Sequence, residues 1–175
     1  MDPVIVVPYD TNWQEQFDRE RSLLHDVFSD IPIVVEHVGS TAVPGLASKP
    51  IIDLMLGARA LADVESRIEA LRAHHYEYVP AYEQQLPDRR YFRKPFAVPR
   101  THHLHCVVIG SPFWRDDLLF RDYLRANPGA AAEYAALKHE LASRHRLDRS
   151  AYVEGKTSFV QSVLTKAGAR SAPNV

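Results

Sequence analysis

The spacing of apolar and polar positions divides the chain into a mixed first part and a helical last part. Up to about residue 110, short apolar runs rich in β-branched residues alternate with stretches of helical spacing. From Pro112 onward the spacing is helical throughout. Strands gathered in one part and helices in the other indicate an α+β fold, so we predict a mixed β-sheet with flanking helices and a C-terminal helical segment.

The individual runs predict the order of the elements. Strands are predicted at 4–7, 33–38, 51–56, 76–79, 91–98 and 102–109. Helices are predicted after an N-cap at Asp10 or Thr11, and at 61–74, 112–126, 129–146 and 151–166. We treat 1–166 as one domain, and 167–175, which contain Gly, Ser and Pro, as a flexible tail.

Composition and charge narrow the classes of partner. Of the 175 residues, 46% are hydrophobic and 25% are charged, as is typical of a globular domain. The net charge of −1 offers no field that would attract nucleic acid or a membrane, so neither partner is expected. A local basic cluster would still suit a small phosphorylated ligand. The single cysteine, Cys106, and the absence of a signal-like start favour a cytoplasmic protein, and no particular oligomeric state is predicted.

Two neighbouring strands carry the most informative polar residues. The run 33–38 leads into Gly39-Ser40-Thr41, and the next strand carries Asp53 between apolar neighbours. Gly39 lets the backbone approach a ligand closely, while Ser40 and Thr41 supply donors that suit phosphate oxygens. A buried unpaired carboxylate is costly, so Asp53 must be paired, bind a metal or face a cleft. The alternative is a tight turn followed by an Asp that caps a neighbouring helix.

Residues 37–53, His-Val-Gly-Ser-Thr-Ala-Val-Pro-Gly-Leu-Ala-Ser-Lys-Pro-Ile-Ile-Asp, resemble the signature of the GrpB family (UPF0157). The resemblance continues at 90–93, 102–105, 119–125 and 134–138, and ends with Tyr152, Lys156 and Phe159. GrpB proteins resemble the nucleotidyltransferase superfamily in fold. In that superfamily a Gly-Ser turn precedes a strand with an Asp-x-Asp or Asp-x-Glu pair. The pair holds a divalent metal, usually magnesium, against a nucleoside triphosphate.

The resemblance implies a function and a first set of roles. Gly39 and Ser40 would hold phosphate, and Asp53 would be the catalytic metal ligand. The activity implied is metal-dependent nucleotidyl transfer to a small-molecule acceptor, in which the metal neutralises the charge that develops at the α-phosphorus. The sequence departs from this pattern because Met55 stands where the second carboxylate is expected. The later strand, where a third carboxylate is common, offers His103 and His105 instead.

Three interpretations of the histidines remain open. Strand alternation places His103 and His105 on one face. Together with Asp53 they would form a mixed ligand set for a transition metal such as zinc or manganese. Alternatively, transferase chemistry is lost, and the histidines bind the phosphate or base of a ligand in a non-catalytic module. In the third interpretation they are core or cross-strand partners.

Basic and aromatic residues within the matching segments complete the predicted site. Five basic residues would meet a polyphosphate or an acidic substrate, namely Lys49, Arg93, Arg121, Lys138 and Lys156. Most basic side chains are simply solvated, and Arg121 would alternatively pair with Asp117, four residues earlier on the same predicted helix. Tyr91 and Arg93 alternate with Phe92, so both are predicted to face the pocket while Phe92 packs.

Overall fold

A mixed β-sheet forms the centre of the fold. The computed structural model describes residues 3–97 and 99–168. Within them the strands are β1 (Val34–Val38), β2 (Ile52–Ala58), β3 (Glu77–Tyr78), β4 (Arg89–Lys94) and β5 (His102–Val108). They lie in the order β1-β2-β5-β4-β3, with β2 and β5 parallel and the other neighbours antiparallel. The predicted mixed sheet is therefore confirmed.

The helices flank this sheet, and the last third of the described chain is helical, as predicted. They are α1 (Asn12–Val27), α2 (Leu61–Glu65), α3 (Ile68–Ala73), α4 (Pro112–Ala126), α5 (Pro128–Arg144), α6 (Arg149–Glu154) and α7 (Thr157–Lys166). Short 3₁₀ helices occur at Ser40–Ala42 and Pro80–Gln84. None of the helices in the described ranges combines the length and apolar character that crossing a bilayer requires. Most of the predicted tail lies outside the described residues.

Several predicted elements differ from the observed ones. The run 4–7 makes only one antiparallel bridge, between Val7 and Ser48, because Pro8 has no N–H to continue a ladder. The predicted helix 61–74 is two short helices, α2 and α3. The predicted helix 151–166 is likewise interrupted at Gly155, where an added Cβ would come within 2.5 Å of Leu141 Cδ2 on α5.

The two faces of the sheet are covered by different parts of the chain. On one face, Leu54, Leu56 and Leu104 pack with α1, α2 and α3 in the main apolar core. On the other face, Met55 packs with Val38, Val107 and Trp114 beneath α4 in a smaller apolar cluster. That cluster covers only part of its face. Asp53 therefore lies on the same face as Met55 but beyond the cover of Trp114, with 30% of its side chain exposed.

Candidate functional site

A cleft opens over the uncovered part of the sheet, and we call it the Asp53 cleft. It has a volume of about 390 Å³. The sheet and its connections supply one wall, and the C-terminal helical segment supplies the other. Its lining includes Gly39, Ser40, Lys49, Asp53, Arg89, Tyr91, His103, His105, Asp117, Lys138, Arg149, Tyr152 and Lys156.

Gly39 brings the backbone against the carboxylate of Asp53. Its φ is 70° and its ψ is −169°, a conformation open essentially to glycine alone. An added Cβ would lie 2.5 Å from Asp53 Oδ2. Ser40, the next residue, lines the cleft. Thr41 does not, because its buried hydroxyl is 2.9 Å from His37 Nε2.

Two histidines keep Asp53 ionised. His103 Nδ1 makes a hydrogen bond of 3.1 Å with Asp53 Oδ1, and His105 Nε2 lies 3.9 Å from the same oxygen. Burial acts to raise the pKa of Asp53, but the hydrogen bond from His103 and the proximity of His105 outweigh it and hold the pKa well below its usual range. Asp53 is therefore a fixed negative charge on the floor of the cleft.

Arg89 defines the tautomer of His105. Arg89 Nη1 is 3.1 Å from His105 Nδ1, and a guanidinium has only N–H donors, so Nδ1 accepts. The proton of neutral His105 consequently sits on Nε2, the atom nearer Asp53. Burial lowers the pKa of His105, while Asp53 acts to raise it.

The predicted ligand set of Asp53, His103 and His105 does not fit a three-ligand transition-metal site. His103 Nδ1 makes a hydrogen bond with Asp53 Oδ1, and Arg89 donates a hydrogen bond to Nδ1 of His105. Across residues 3–97 and 99–168, no group of three or more His, Cys, Asp or Glu side chains is arranged to hold a metal ion. Magnesium is a different case, because one or two carboxylates suffice when a ligand's phosphates supply the rest. Magnesium brought in with a nucleotide therefore stays a prediction.

Three lysines line the cleft, Lys49 from the connection before β2, Lys138 from α5 and Lys156 from the residue before α7. Burial lowers the pKa of Lys49 to about 8, with further lowering by Arg149 and Lys156. Burial, followed by repulsion from Lys156, lowers the pKa of Lys138 to about 7. Burial also lowers the pKa of Lys156, although Asp53 opposes it. In the part of the chain that the structure describes, none of these lysines forms an ion pair with a carboxylate.

Aromatic rings and one carbonyl hold the lysines in place. Lys49 Nζ and Lys156 Nζ lie 5.2 Å and 4.8 Å from the centre of the Tyr152 ring. Lys138 Nζ lies 4.7 Å from the centre of the Tyr134 ring and donates a hydrogen bond to the carbonyl of Ala47. Cation–π contacts position a charge without neutralising it. These contacts therefore position the lysines but leave their charges, where they are protonated, without a counterion.

Two predicted basic residues lie outside the cleft. Arg93 Nε and Nη2 are each 2.9 Å from a carboxylate oxygen of Glu77 on β3. Arg121 Nη1 is 2.7 Å from Glu36 Oε2, and its Nε is 2.7 Å from Asp122 Oδ1. Arg121 thus has carboxylate partners, but neither is Asp117. Both arginines are held in structural ion pairs.

The remaining predicted aromatic residue does line the cleft. Tyr91 lies opposite His105 in the β4–β5 register, and its ring centre is 5.2 Å from that of the histidine. Phe92, next to it, is fully buried in the core on the other face. The alternation predicted for Tyr91 and Phe92 is therefore confirmed. Arg93, the next residue of the alternation, instead forms an ion pair with Glu77 on the neighbouring strand β3.

Sequence reasoning missed Asp117. Burial raises its pKa to about 7, the charge of Asp53 adds to that rise, and Arg89 opposes it. A signal for it was available, since Phe113, Asp117 and Arg121 follow one another at four-residue intervals along α4. A carboxylate on the inward stripe of a helix is unusual enough to be a site residue.

Comparison with known proteins gives a consistent set of relatives. A family model described as GrpB protein matches residues 3–166. The UPF0157 protein YqkA of Bacillus subtilis is 40% identical over 158 residues, which cover 90% of this chain and 45% of that protein. The glutamate-rich protein GrpB of Alkalihalophilus pseudofirmus is 35% identical, covering 93% and 95%. A dephospho-CoA kinase of Mycolicibacterium paratuberculosis is 31% identical, covering 94% and 46%. The chain thus spans less than half the length of the first and last of these.

Solved structures agree on the fold. The crystal structure of conserved protein GrpB from Enterococcus faecalis matches with a TM-score of 0.85 and 36% identity, covering 93% of this chain and 96% of that one. The GLD-2/RNP-8 complex matches with a TM-score of 0.60 at 15% identity, covering 95% and 70%. The Cid1 poly(U) polymerase with Mg 3′-dATP bound matches with a TM-score of 0.59 at 13% identity, covering 86% and 49%. The predicted nucleotidyltransferase-like fold is confirmed.

Proposed function

We propose that this chain, which belongs to the GrpB family, binds the phosphate groups of a small phosphorylated molecule in the Asp53 cleft, with a nucleoside triphosphate as the candidate ligand. One observation carries the proposal. Lys49, Lys138 and Lys156 converge on a single cleft and, among the described residues, have no carboxylate partner.

The energetics of the lysines favour an anionic ligand. Burial and mutual repulsion both disfavour their charged forms, which is why the pKa values of Lys49 and Lys138 fall to about 8 and about 7. A bound anion reverses both effects. Phosphate groups carry several acceptor oxygens and more than one charge, so a single ligand can satisfy several ammonium groups at once. The Gly39-Ser40 turn lines the same cleft and adds donors from the sheet side.

Calorimetry with charge-matched variants tests the binding. Purified protein is titrated with ATP, GTP, CTP, UTP and pyrophosphate, each with and without magnesium or manganese. Lys156→Met is expected to weaken pyrophosphate binding by about tenfold or more, since it removes a charge-assisted contact. Lys166→Met is the control, because Lys166 is exposed in the last turn of α7 and its loss changes the charge equally. No binding of pyrophosphate or any nucleotide by the wild type would remove the proposal.

Nucleotidyl transfer to a small-molecule acceptor is the second candidate function. It is favoured by an ionised Asp53 beside the Gly39-Ser40 turn, in a fold shared with a poly(U) polymerase whose structure contains Mg 3′-dATP. In this function Asp53 is the catalytic carboxylate, with magnesium supplied by the nucleotide. Met55 weighs against it, since the sheet then supplies a single carboxylate.

Pyrophosphate release distinguishes binding from transfer. Wild type and Asp53→Asn are incubated with each nucleoside triphosphate, magnesium and pools of small hydroxylated or phosphorylated acceptors. Transfer predicts acceptor-dependent release of pyrophosphate by the wild type and none by Asp53→Asn. Thermal unfolding of the variant shows whether it is folded. Release at the same rate in both proteins would remove Asp53 from the chemistry.

A further inference from the structure

The Asp53 cleft contains a second carboxylate, that of Asp117, which no positively charged side chain of the described residues contacts directly. Asp117 lines the cleft from α4, and within residues 3–97 and 99–168 its side chain makes no hydrogen bond or ion pair. An unpaired carboxylate that is partly removed from water is destabilising, so a proton, a cation or a ligand must balance it. A ligand that enters the cleft is therefore expected to change the charge or the contacts of Asp117.

The surroundings of Asp117 determine which of these partners fits. Asp53 on β2, Arg89 on β4 and Asp116 on the same helix act on the charge of Asp117. The other charged or titratable side chains of the cleft include Lys49 before β2, Tyr91 on β4, His103 and His105 on β5, Lys138 on α5, Arg149 and Tyr152 on α6, and Lys156 before α7. Glu36 on β1 is already paired with Arg121, and Lys166 of α7 is exposed in the last turn. Asp53 is held ionised by its histidines. A phosphate anion would thus enter a cleft that already contains one fixed negative charge.

Repulsion in so small a cleft favours protonation of the second carboxylate. Asp53, Asp117 and a phosphate would place three negative centres within about 390 Å³. Asp53 cannot easily take a proton, because the hydrogen bond from His103 and the nearby His105 stabilise its charge. Asp117 has no such bonds, and burial already raises its pKa to about 7, so it is the one that can accept a proton near neutral pH.

We propose that Asp117 contacts the phosphate ligand as a carboxylic acid, donating a hydrogen bond to a phosphate oxygen, so that the cleft takes up a proton together with its ligand. The inference rests on the proposed phosphate binding. The proton moves from solvent to a carboxylate oxygen of Asp117, and no bond in the ligand breaks. In this arrangement the proton and the lysines, rather than a metal ion, offset the charge of the phosphate.

Pyrophosphate titrations in EDTA test the protonated donor. Wild type, Asp117→Asn and the control Asp116→Asn are measured by calorimetry at pH 7.0 to 8.5, in buffers with different heats of ionisation. Asn has the shape of a protonated Asp and retains a donor. Asp117→Asn is therefore expected to bind at pH 7.0 as tightly as wild type, within about threefold, or more tightly. With rising pH, wild-type affinity should fall faster than that of Asp117→Asn, by up to about tenfold per pH unit.

The matched variants isolate Asp117 from the lysines. Lys49, Lys138 and pyrophosphate titrate in all three proteins, so the ratio of wild-type to Asp117→Asn affinity, rather than either affinity alone, reports the effect of Asp117. Asp116→Asn removes the same charge one residue away, outside the cleft lining, and should follow the wild type. Calorimetric proton uptake should also be smaller for Asp117→Asn than for wild type.

Several outcomes would overturn the inference. Equal pH slopes in wild type and Asp117→Asn would show that Asp117 takes no proton. A loss of more than about tenfold in Asp117→Asn at pH 7.0 would show that the ionised carboxylate is needed, as for a cation ligand. Asp117→Leu, which has the same branched arrangement of side-chain heavy atoms but no donor, should bind about fivefold more weakly than Asp117→Asn, and equality would exclude the hydrogen bond. If wild type binds no pyrophosphate, the proposed function fails as well. Thermal unfolding verifies that each variant is folded.

Discussion

Replacing Gly39 with alanine should destabilise the fold and disturb the site at Asp53. The new Cβ would lie 2.5 Å from Asp53 Oδ2 and 3.1 Å from Asp53 Cβ, well inside contact distance. A non-glycine residue in this backbone region adds strain of about 1–3 kcal/mol, and an overpacked contact adds about 1–3 kcal/mol. We therefore expect Gly39→Ala to lower the free energy of unfolding by about 2–6 kcal/mol, measured by urea denaturation.

Gly45→Ala separates the two contributions. Gly45 also has a positive φ, 79°, but an added Cβ there meets nothing within 4 Å. Gly45→Ala should lower the free energy of unfolding by the backbone strain alone, about 1–2 kcal/mol. If Asp53 is what the new Cβ meets, Gly39→Ala should cost less in an Asp53→Ala background, a coupling that the double-mutant cycle measures. Equal losses for Gly39→Ala and Gly45→Ala, with no coupling to Asp53, would refute the close approach.

Three further predictions concern buried groups around the site. Met55→Asp should lower the free energy of unfolding by about 3–5 kcal/mol in urea, because it leaves a charge in the apolar cluster, whereas Met55→Leu should be nearly neutral. Burial lowers the pKa of His37 from 6.5 to about 4, so the folded state binds fewer protons and its stability should fall as pH drops from about 6.5 towards 4. His37→Gln should flatten that fall in thermal unfolding. Burial lowers the pKa of Lys138 from 10.5 to about 7, so stability should rise between these values as pH increases, and the rise should be smaller in Lys138→Met.

The local parts of the site were predictable because neighbouring chain segments build them. Gly39 directly follows β1, and Asp53 lies on β2, which pairs with β1 in antiparallel register with Val38 opposite Asp53. Strand alternation likewise predicts a shared face for His103 and His105, since a period of two depends on the backbone alone. The family motif added the fold, which spacing by itself does not specify.

Ion pairs between residues that are far apart in the sequence could not be predicted from the sequence. Arg93 pairs with Glu77, 16 residues away, and Arg121 with Glu36, 85 residues away. Each arginine lies in a segment that matches the family, so sequence alone assigned both to the ligand. Whether an arginine meets a carboxylate or a phosphate depends on which strand lies beside it in the folded sheet.

The packing of α4 explains why β2 has no second carboxylate at position 55 and why the cleft has a carboxylate, that of Asp117, from a helix. The second residue after Asp53 is Met55, and its position on β2 is covered by Trp114 of α4, whose ring also lies so close to Gly57 that a Cβ there would be 2.6 Å away. A carboxylate at position 55 would be sealed in apolar surroundings and could not reach a ligand. The same helix, one turn beyond Trp114, carries Asp117 over the open end of the cleft. Packing of α4 therefore leaves position 55 unsuitable for a carboxylate that binds a ligand, and the same helix brings the carboxylate of Asp117 to the cleft. Burial raises the pKa of Asp117, so its charge depends on protonation near neutral pH.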